Sequence, residues 1–259
     1  MRLNVLPLPE LEPLSEPKVR SFSVGARWLA EGDCRLDAFF YADEAVAAHR
    51  VIEDSGFEIK PLNHPEVTKE VFNLSRFKRI HTNDPTKGYP YLSAYEAFLF
   101  RPQSDRWIAR DKVPGRIDRY FVKAGWTLVY CSGMNVGRCV MATVRLERFF
   151  LTHDLIRIVP ALPSGYLHAF LASRLGRALM AGKQYGAAIP HLEPHHLADI
   201  PVPLPSPAQQ QAIHEQIMTA YRLRGEANNL LDQADELLYA ELGLPRFDES
   251  QVPYIKGRK

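Results

Sequence analysis

Arg76, Lys78, Arg79 and His81 are followed by Lys87, Tyr89 and Tyr91, and farther on by Arg106, Lys112, Arg116, Arg119 and Lys123. Basic side chains bind phosphates by charge, and Arg, Asn or Gln can make paired hydrogen bonds to base edges, so this mixture suits a nucleic-acid surface. The spacing names no groove-entering helix, and a solvated charged face fits it equally well. Other chemistries fail on spacing. Asp54, Glu58 and Lys60 offer the acids and lysine of a magnesium-dependent nuclease but lie too close together for strand-turn-strand placement. His191, Glu193, His195 and His196 are metal-ligand types, yet no H-E-x-x-H helix is present and Pro190 and Pro194 interrupt the backbone, which favours turn and cap roles. Asn83-Asp84-Pro85-Thr86 lacks the second proline and the aromatic residue of an amino-group methyltransferase. Gly133 and Gly137 sit between two strand-like runs, not between a strand and a helix as a phosphate loop requires. The reading therefore names no catalytic residue and no metal ligand.

Behind these residues a framework can be read. Trp126 to Cys131, Arg138 to Val144 and Leu155 to Val159 are β-rich, and the first two bracket the glycine-punctuated loop Ser132 to Gly137. Ala45 to Ser55, closed by Gly56, predicts a helix; so does Tyr166 to Met180, where Leu167, Phe170, Leu171, Arg174, Leu175 and Ala178 keep helical periodicity. The clearest local signal is a long helix. Pro201, Pro203 and Pro205 hold the chain extended, Ser206 supplies an N-cap, Pro207 fits the first helical position and Gln209 completes a capping box. No proline follows until Pro245, and Gly243 suits the C-terminal cap. At about 1.5 Å per residue the helix is a rod of roughly 57 Å, expected to project or to lie across a partner. Ile213, Ile217, Ala220, Ala227, Leu231, Ala234 and Leu238 follow the spacing of a coiled-coil seam, with Arg224 at the one broken step. The alternative is an amphipathic helix packed on its own domain.

Composition is that of an ordinary soluble globular protein, 46% hydrophobic and 24% charged, with no apolar run near the ~20 residues of a membrane span. The opening residues, with Leu6-Pro7-Leu8-Pro9, lack a signal-peptide pattern, so no membrane association and a cytoplasmic location are expected. Cys34, Cys131 and Cys139 form neither an even framework nor a close pair and read as reduced cysteines in packed strands. The net charge of +2 is unevenly placed: residues 206–243 hold six acidic side chains against two arginines, leaving residues 21–205 basic, as a polyanion partner would favour.

Three stretches together resemble the target-recognition domain of type I restriction-modification specificity subunits. They are Gly186 to Leu192 with Leu197 to Pro205 and Gln209 to Ile213; Gly125 to Tyr130 through Gly133 and Gly137; and Arg35-Leu36-Asp37-Ala38 with Tyr41. The fold expected is α+β: a mixed, mainly antiparallel β target-recognition domain over residues 21–205, then one long coiled-coil-type α-helix over residues 206–243. A partly disordered lead-in, 1–20, and a C-terminal tail, 244–259, flank them. A full specificity subunit has two recognition domains and two helices, so this chain resembles a half-subunit. The resemblance implies double-stranded DNA, modification methyltransferase subunits, restriction/translocase subunits and a second recognition half as partners. It places S-adenosylmethionine, ATP and Mg2+ on those partners and no cofactor on this chain. Two identical halves would call for a palindromic, interrupted site. Chemistry and expected loop or strand-edge position single out Arg76, Lys78, Arg79, Tyr91, Ser132, Asn135, Arg138, Lys183, Gln184 and Tyr185 for DNA contact. Two other classes stay open: the recognition fragment of a fused restriction-methylation enzyme or divergent nuclease, and a coiled-coil interaction protein that binds no DNA.

Overall fold

The computed structural model describes residues 43–243 except Pro114, Arg116 and Ala187, together with Ser23, Gly25, Ala26 and Leu29. The lead-in, the tail, Cys34, Arg116 and the stretch Arg35 to Tyr41 lie outside the described residues. Contacts divide the chain into two units, Met1–Leu36 and Asp37–Lys259. In the first, Leu29 N–H donates to Gly25 O at 3.2 Å.

In the second, helix α1 (Asp43–Glu53) is closed by Gly56, at φ +72°, and followed by strands β1 (Glu58–Pro61), β2 (Thr68–Phe72), β3 (His81–Thr82) and β4 (Gly88–Leu92). Helix α2 (Ala94–Phe98) precedes β5 (Trp107–Ala109), β6 (Thr127–Tyr130), β7 (Cys139–Met141), β8 (Phe150–Leu151) and β9 (Leu155–Pro160). Helices α3 (Ser164–Ala172), α4 (Arg174–Gly182) and α5 (Pro194–Leu197), strand β10 (Pro201–Leu204) and helix α6 (Pro207–Leu242) complete it. The architecture is α+β, as expected. One sheet runs β2-β9-β6-β7, a second β3-β5-β4-β8, and β1 pairs with β10; all pairings are antiparallel except β4 with β8.

The first sheet is the centre of the unit. Successive strand residues face opposite ways, and here both faces are covered. Val129, Ile156 and Ile158 pack with Leu62, Leu167, Leu171 and Val202, whereas Leu128, Leu155 and Val140 pack with Leu92, Val122, Leu146 and Leu151. That is why these strands read as continuous apolar runs. The second sheet closes over an aromatic cluster in which Tyr120 stacks on Phe150 at 4.3 Å. Prolines are tolerated in β10 because it belongs to a two-stranded ribbon.

Two expectations are corrected. The single helix over 166–180 is two, because Ser173 leaves helical geometry (ψ 168°) and its hydroxyl caps Gly176 N–H at 3.2 Å. Gly176 permits the sharp junction: a Cβ there would lie 2.4 Å from Phe170 O. The long helix begins and ends as read, with the Ser206–Gln209 capping box and Gly243 at φ +61°, but it does not project as a bare rod. Much of it lies on its own unit through a largely polar stripe: Gln210, His214, Ile217, Tyr221, Arg224, Asn228 and Asp232. Gly165 lets α3 touch the helix backbone, a Cβ there meeting His214 O at 2.7 Å. A charge network secures the distal half. Arg145 donates to both Asp232 oxygens at 2.6 and 3.1 Å, and Arg101 bridges Asp232 and Asp235 at 2.7 and 2.6 Å.

Of the expected seam, Ile213, Ala220, Leu231, Ala234 and Leu238 are solvent-facing, while Ile217 and Ala227 are half-buried. The five solvent-facing residues, with exposed Leu223, Leu230, Leu237 and Leu242, form an apolar stripe beside the docked face of the helix.

Candidate nucleic-acid interface

The segment between β2 and β3 is irregular, held by Leu74 and Phe77, which pack against the aromatic cluster. Phe77 meets Tyr120 edge-on at 5.3 Å. Anchoring these two residues turns Arg76, Lys78 and Arg79 outward, and Arg76 and Lys78 make no ion pair or hydrogen bond with any described residue. Arg79 Nη1 donates to Tyr91 Oη at 2.8 Å and lies 3.8 Å from Asp154 Oδ2.

Three other segments meet this one. At the end of β6, Cys131 N–H donates to Asp154 O at 3.3 Å and Cys131 O accepts Leu192 N–H at 2.9 Å. Ser132 and Tyr185 each form a β-bridge with His191. The result is an open cavity of about 310 Å³ lined by Asn73, Arg76, Cys131, Asp154, His191 and Glu193 among others. Asp154 is its organising acid: it accepts from Thr152 Oγ1 at 2.9 Å and faces His153 Nε2 at 3.2 Å. Burial, with the nearby Arg79 and Arg76 charges, holds His153 below the usual histidine range against the pull of Asp154. Tyr185 Oη donates to Glu193 Oε1 at 3.3 Å and its ring lies 4.9 Å from His196. Burial pushes the Cys131 thiol up to about 11 and the Cys139 thiol up to about 12, so neither is a nucleophile at neutral pH.

Arg157 holds the loop that carries His153 and Asp154. Although fully buried, its guanidinium has no carboxylate partner among the described residues; it donates to Leu155 O at 2.6 Å, Thr152 O at 3.0 Å and Leu151 O at 3.3 Å. Burial lowers it to about 10. It remains a cation at neutral pH.

The structure thus places Arg76 in the lining of one cavity and brings Arg79 (through Asp154) and Ser132 and Tyr185 (through His191) against that lining, with exposed Lys78 two residues from Arg76 and Asn135 and Arg138, joined at 3.0 Å, on the loop that follows Ser132. Tyr91 is not part of the surface. It is 1% exposed, so it positions Arg79 and cannot itself touch a duplex. Lys183 is paired with Asp199 at 2.5 Å, and Gln184 is half-buried. Most of the later basic group does not converge either: Arg106 pairs with Glu96, Lys112 with Asp111 and Arg119 with Glu70. Glu193 and His196 take the cap roles expected, closing the first turn of α5, and Lys60 is paired with Glu58 and Glu66. No group of three metal-ligand residues occurs among the described residues. No helix among them is long and apolar enough to cross a membrane.

Sequence reasoning missed Asp154 and His153, which nothing marks beyond their place between two strands. It also missed Arg174 and Arg177, which line a second concavity of about 460 Å³ with Val136 and Gly137.

No family model and no curated protein matches the chain. Solved structures do. The HsdS subunit from Thermoanaerobacter tengcongensis is similar at 15% identity and a TM-score of 0.46, over 79% of this chain and 48% of that one. The type I restriction-modification system S subunit from M. genitalium is similar at 16% identity and a TM-score of 0.46, over 72% and 44%. A structure of the type I R-M system, described in terms of complex assembly and conformational transition, is similar at 15% identity and a TM-score of 0.47, over 83% and 51%. The chain spans about half the length of the structures it matches.

Proposed function

We propose that this chain is a sequence-specific DNA-binding specificity subunit of a type I restriction-modification complex, reading one half of a bipartite site and docking the modification methyltransferase subunits. The observation that carries the reading is the cavity lined by Arg76, whose other lining residues Asp154 and His191 contact Arg79, Ser132 and Tyr185, with the Asn135–Arg138 pair on the loop that begins at Ser132. Such a surface offers cations to phosphates together with directed donors and acceptors to base edges. The motif order in the sequence supports the same family. Methyl transfer from S-adenosylmethionine, and any ATP- and Mg2+-dependent step, belongs to partner subunits in this reading. The apolar stripe of α6 is then the side offered to a second helix, from another copy or another chain.

The test is selection of duplexes from a randomised pool by the purified chain, followed by titration at several salt concentrations. An enriched sequence is expected, with affinity falling steeply as salt rises and an Arg76→Ala/Arg79→Ala variant binding at least tenfold more weakly. Absence of DNA binding at low salt would leave the interaction-protein reading standing. Magnesium-dependent cleavage by the chain alone would favour the nuclease one.

A further inference from the structure

Gly133 and Gly137 both take left-handed backbone, φ +80° and +79°, and between them Met134 stands 97% exposed. Nothing holds it down, yet the loop beneath it is fixed. Gly133 N–H donates to Pro190 O at 3.0 Å, Val136 N–H to Gly133 O at 3.2 Å, Gly137 N–H to Tyr130 O at 2.9 Å and Arg138 N–H to Asn135 O at 3.0 Å. Arg138 Nη1 then donates to Asn135 Oδ1 at 3.0 Å, which orients the guanidinium beside the tip. This is a braced finger ending in an unbranched, polarisable side chain.

Arginines outnumber acids beside it. Val136 and Gly137 share a concavity with Arg174, Arg177 and the acid Glu44, and neither arginine is ion-paired to a described residue. Full burial of a methionine is worth about 1.5–3 kcal/mol, and a methionine in this position forfeits no internal packing by entering an apolar slot. Wedges of this kind unstack a base step and kink the duplex, which brings more backbone against flanking cations.

We propose that Met134 is a wedge that enters double-stranded DNA between adjacent base pairs, with Arg138, Arg174 and Arg177 holding the phosphates on either side of the kink. The proposal rests on the DNA-reading function above and adds deformation to it. Unstacking costs least at pyrimidine–purine steps, so the selected sites should carry TA or CA/TG at one constant offset from the bases read at the Arg76 surface.

The experiment places 2-aminopurine at successive positions of the duplex recovered by selection and follows its fluorescence as the full chain binds. Wild type should brighten one position severalfold. Met134→Ala should abolish that signal and weaken binding roughly tenfold while leaving the thermal midpoint unchanged, and Met134→Leu should restore the signal. Tight, salt-dependent binding with no position brightened, or brightening that survives Met134→Ala, overturns the wedge and leaves the reader intact. Failure of the wild-type chain to bind any duplex removes the DNA reading itself.

Discussion

The Tyr221 hydroxyl accepts the Met141 backbone N–H at 3.0 Å and lies 3.0 Å from His168 Nε2, so the long helix is hydrogen-bonded to the central sheet and to α3 at one point. Thr127 Oγ1 completes the chain, 3.4 Å from His168 Nδ1. Tyr221→Phe would leave the Met141 donor and the imidazole without that partner in a buried place. A loss of about 1–3 kcal/mol is expected, read from urea denaturation. A variant within 0.5 kcal/mol of wild type, to take roughly the scale of a neutral surface change, would mean water substitutes for the phenol.

His168 also sets a pH dependence. Burial depresses its pKa from 6.5 to about 4. The unfolded chain takes up the proton as pH falls below the ordinary histidine value, and the folded chain does not until about 4, so stability present at neutral pH is lost across that interval. The loss is at most about 3 kcal/mol. Denaturation midpoints at several pH values should fall through this window, and His168→Asn should flatten the profile; parallel profiles would assign the effect elsewhere.

Asp232 fastens the outer half of α6. Hydrogen bonds from Arg145 and then Arg101 hold its carboxyl down to about 2. Because the carboxylate is partly exposed, Asp232→Asn should cost only about 1 kcal/mol of global stability. The visible effect should be local: faster amide exchange over residues 229–242 with residues 207–221 unchanged. Uniform exchange across the helix would argue that the network is ornamental.

Arg157→Met removes three hydrogen bonds to buried carbonyls while keeping an unbranched apolar stem in most of the space. Orphaned acceptors cost about 1–3 kcal/mol each, with partial relaxation expected, so a loss of at least about 2 kcal/mol is anticipated by urea unfolding. DNA affinity should fall too, since Arg157 braces the turn that presents Asp154 to Arg79. Unchanged affinity in a folded variant would detach that turn from binding.

Gly165→Ala tests the close approach of α3 to α6. Its methyl group would meet His214 backbone O at 2.7 Å and Cα at 2.9 Å, with the imidazole Nδ1 next at 3.1 Å, so moving the side chain alone cannot relieve the clash. Overpacking of this kind costs about 1–3 kcal/mol, checked by thermal denaturation.

What the sequence discloses and what it conceals follow from which interactions are local. Ser206, Pro207 and Gln209 cap a helix through neighbours three residues away, so the start of α6 is legible. Leu128, Val129, Leu155 and Ile156 announce doubly covered strands by lacking alternation. The break at Ser173 is not legible, because it depends on how Gly176 lets two helices meet. The same holds for the stripe that docks α6: His214, Arg224, Asn228 and Asp232 carry no apolar period, and only their distant partners Gly165, Phe100, Arg101 and Arg145 reveal them. Tyr91 reads as a surface aromatic in the sequence because nothing local distinguishes a ring that stacks on bases from one that orients an arginine.

The docked stripe makes helix α6 a toothed shaft. A residue inserted between the Tyr221 and Asp232 contacts would advance everything beyond it by about 1.5 Å and turn it by about 100°, pulling Asp232 out of mesh with Arg101 and Arg145. Seven inserted residues fall only about 20° short of two full revolutions and would bring an equivalent face back. Such an insertion would still carry Asp232 about 10 Å along the axis from Arg101 and Arg145, so the helix is keyed to its domain in length as well as in angle.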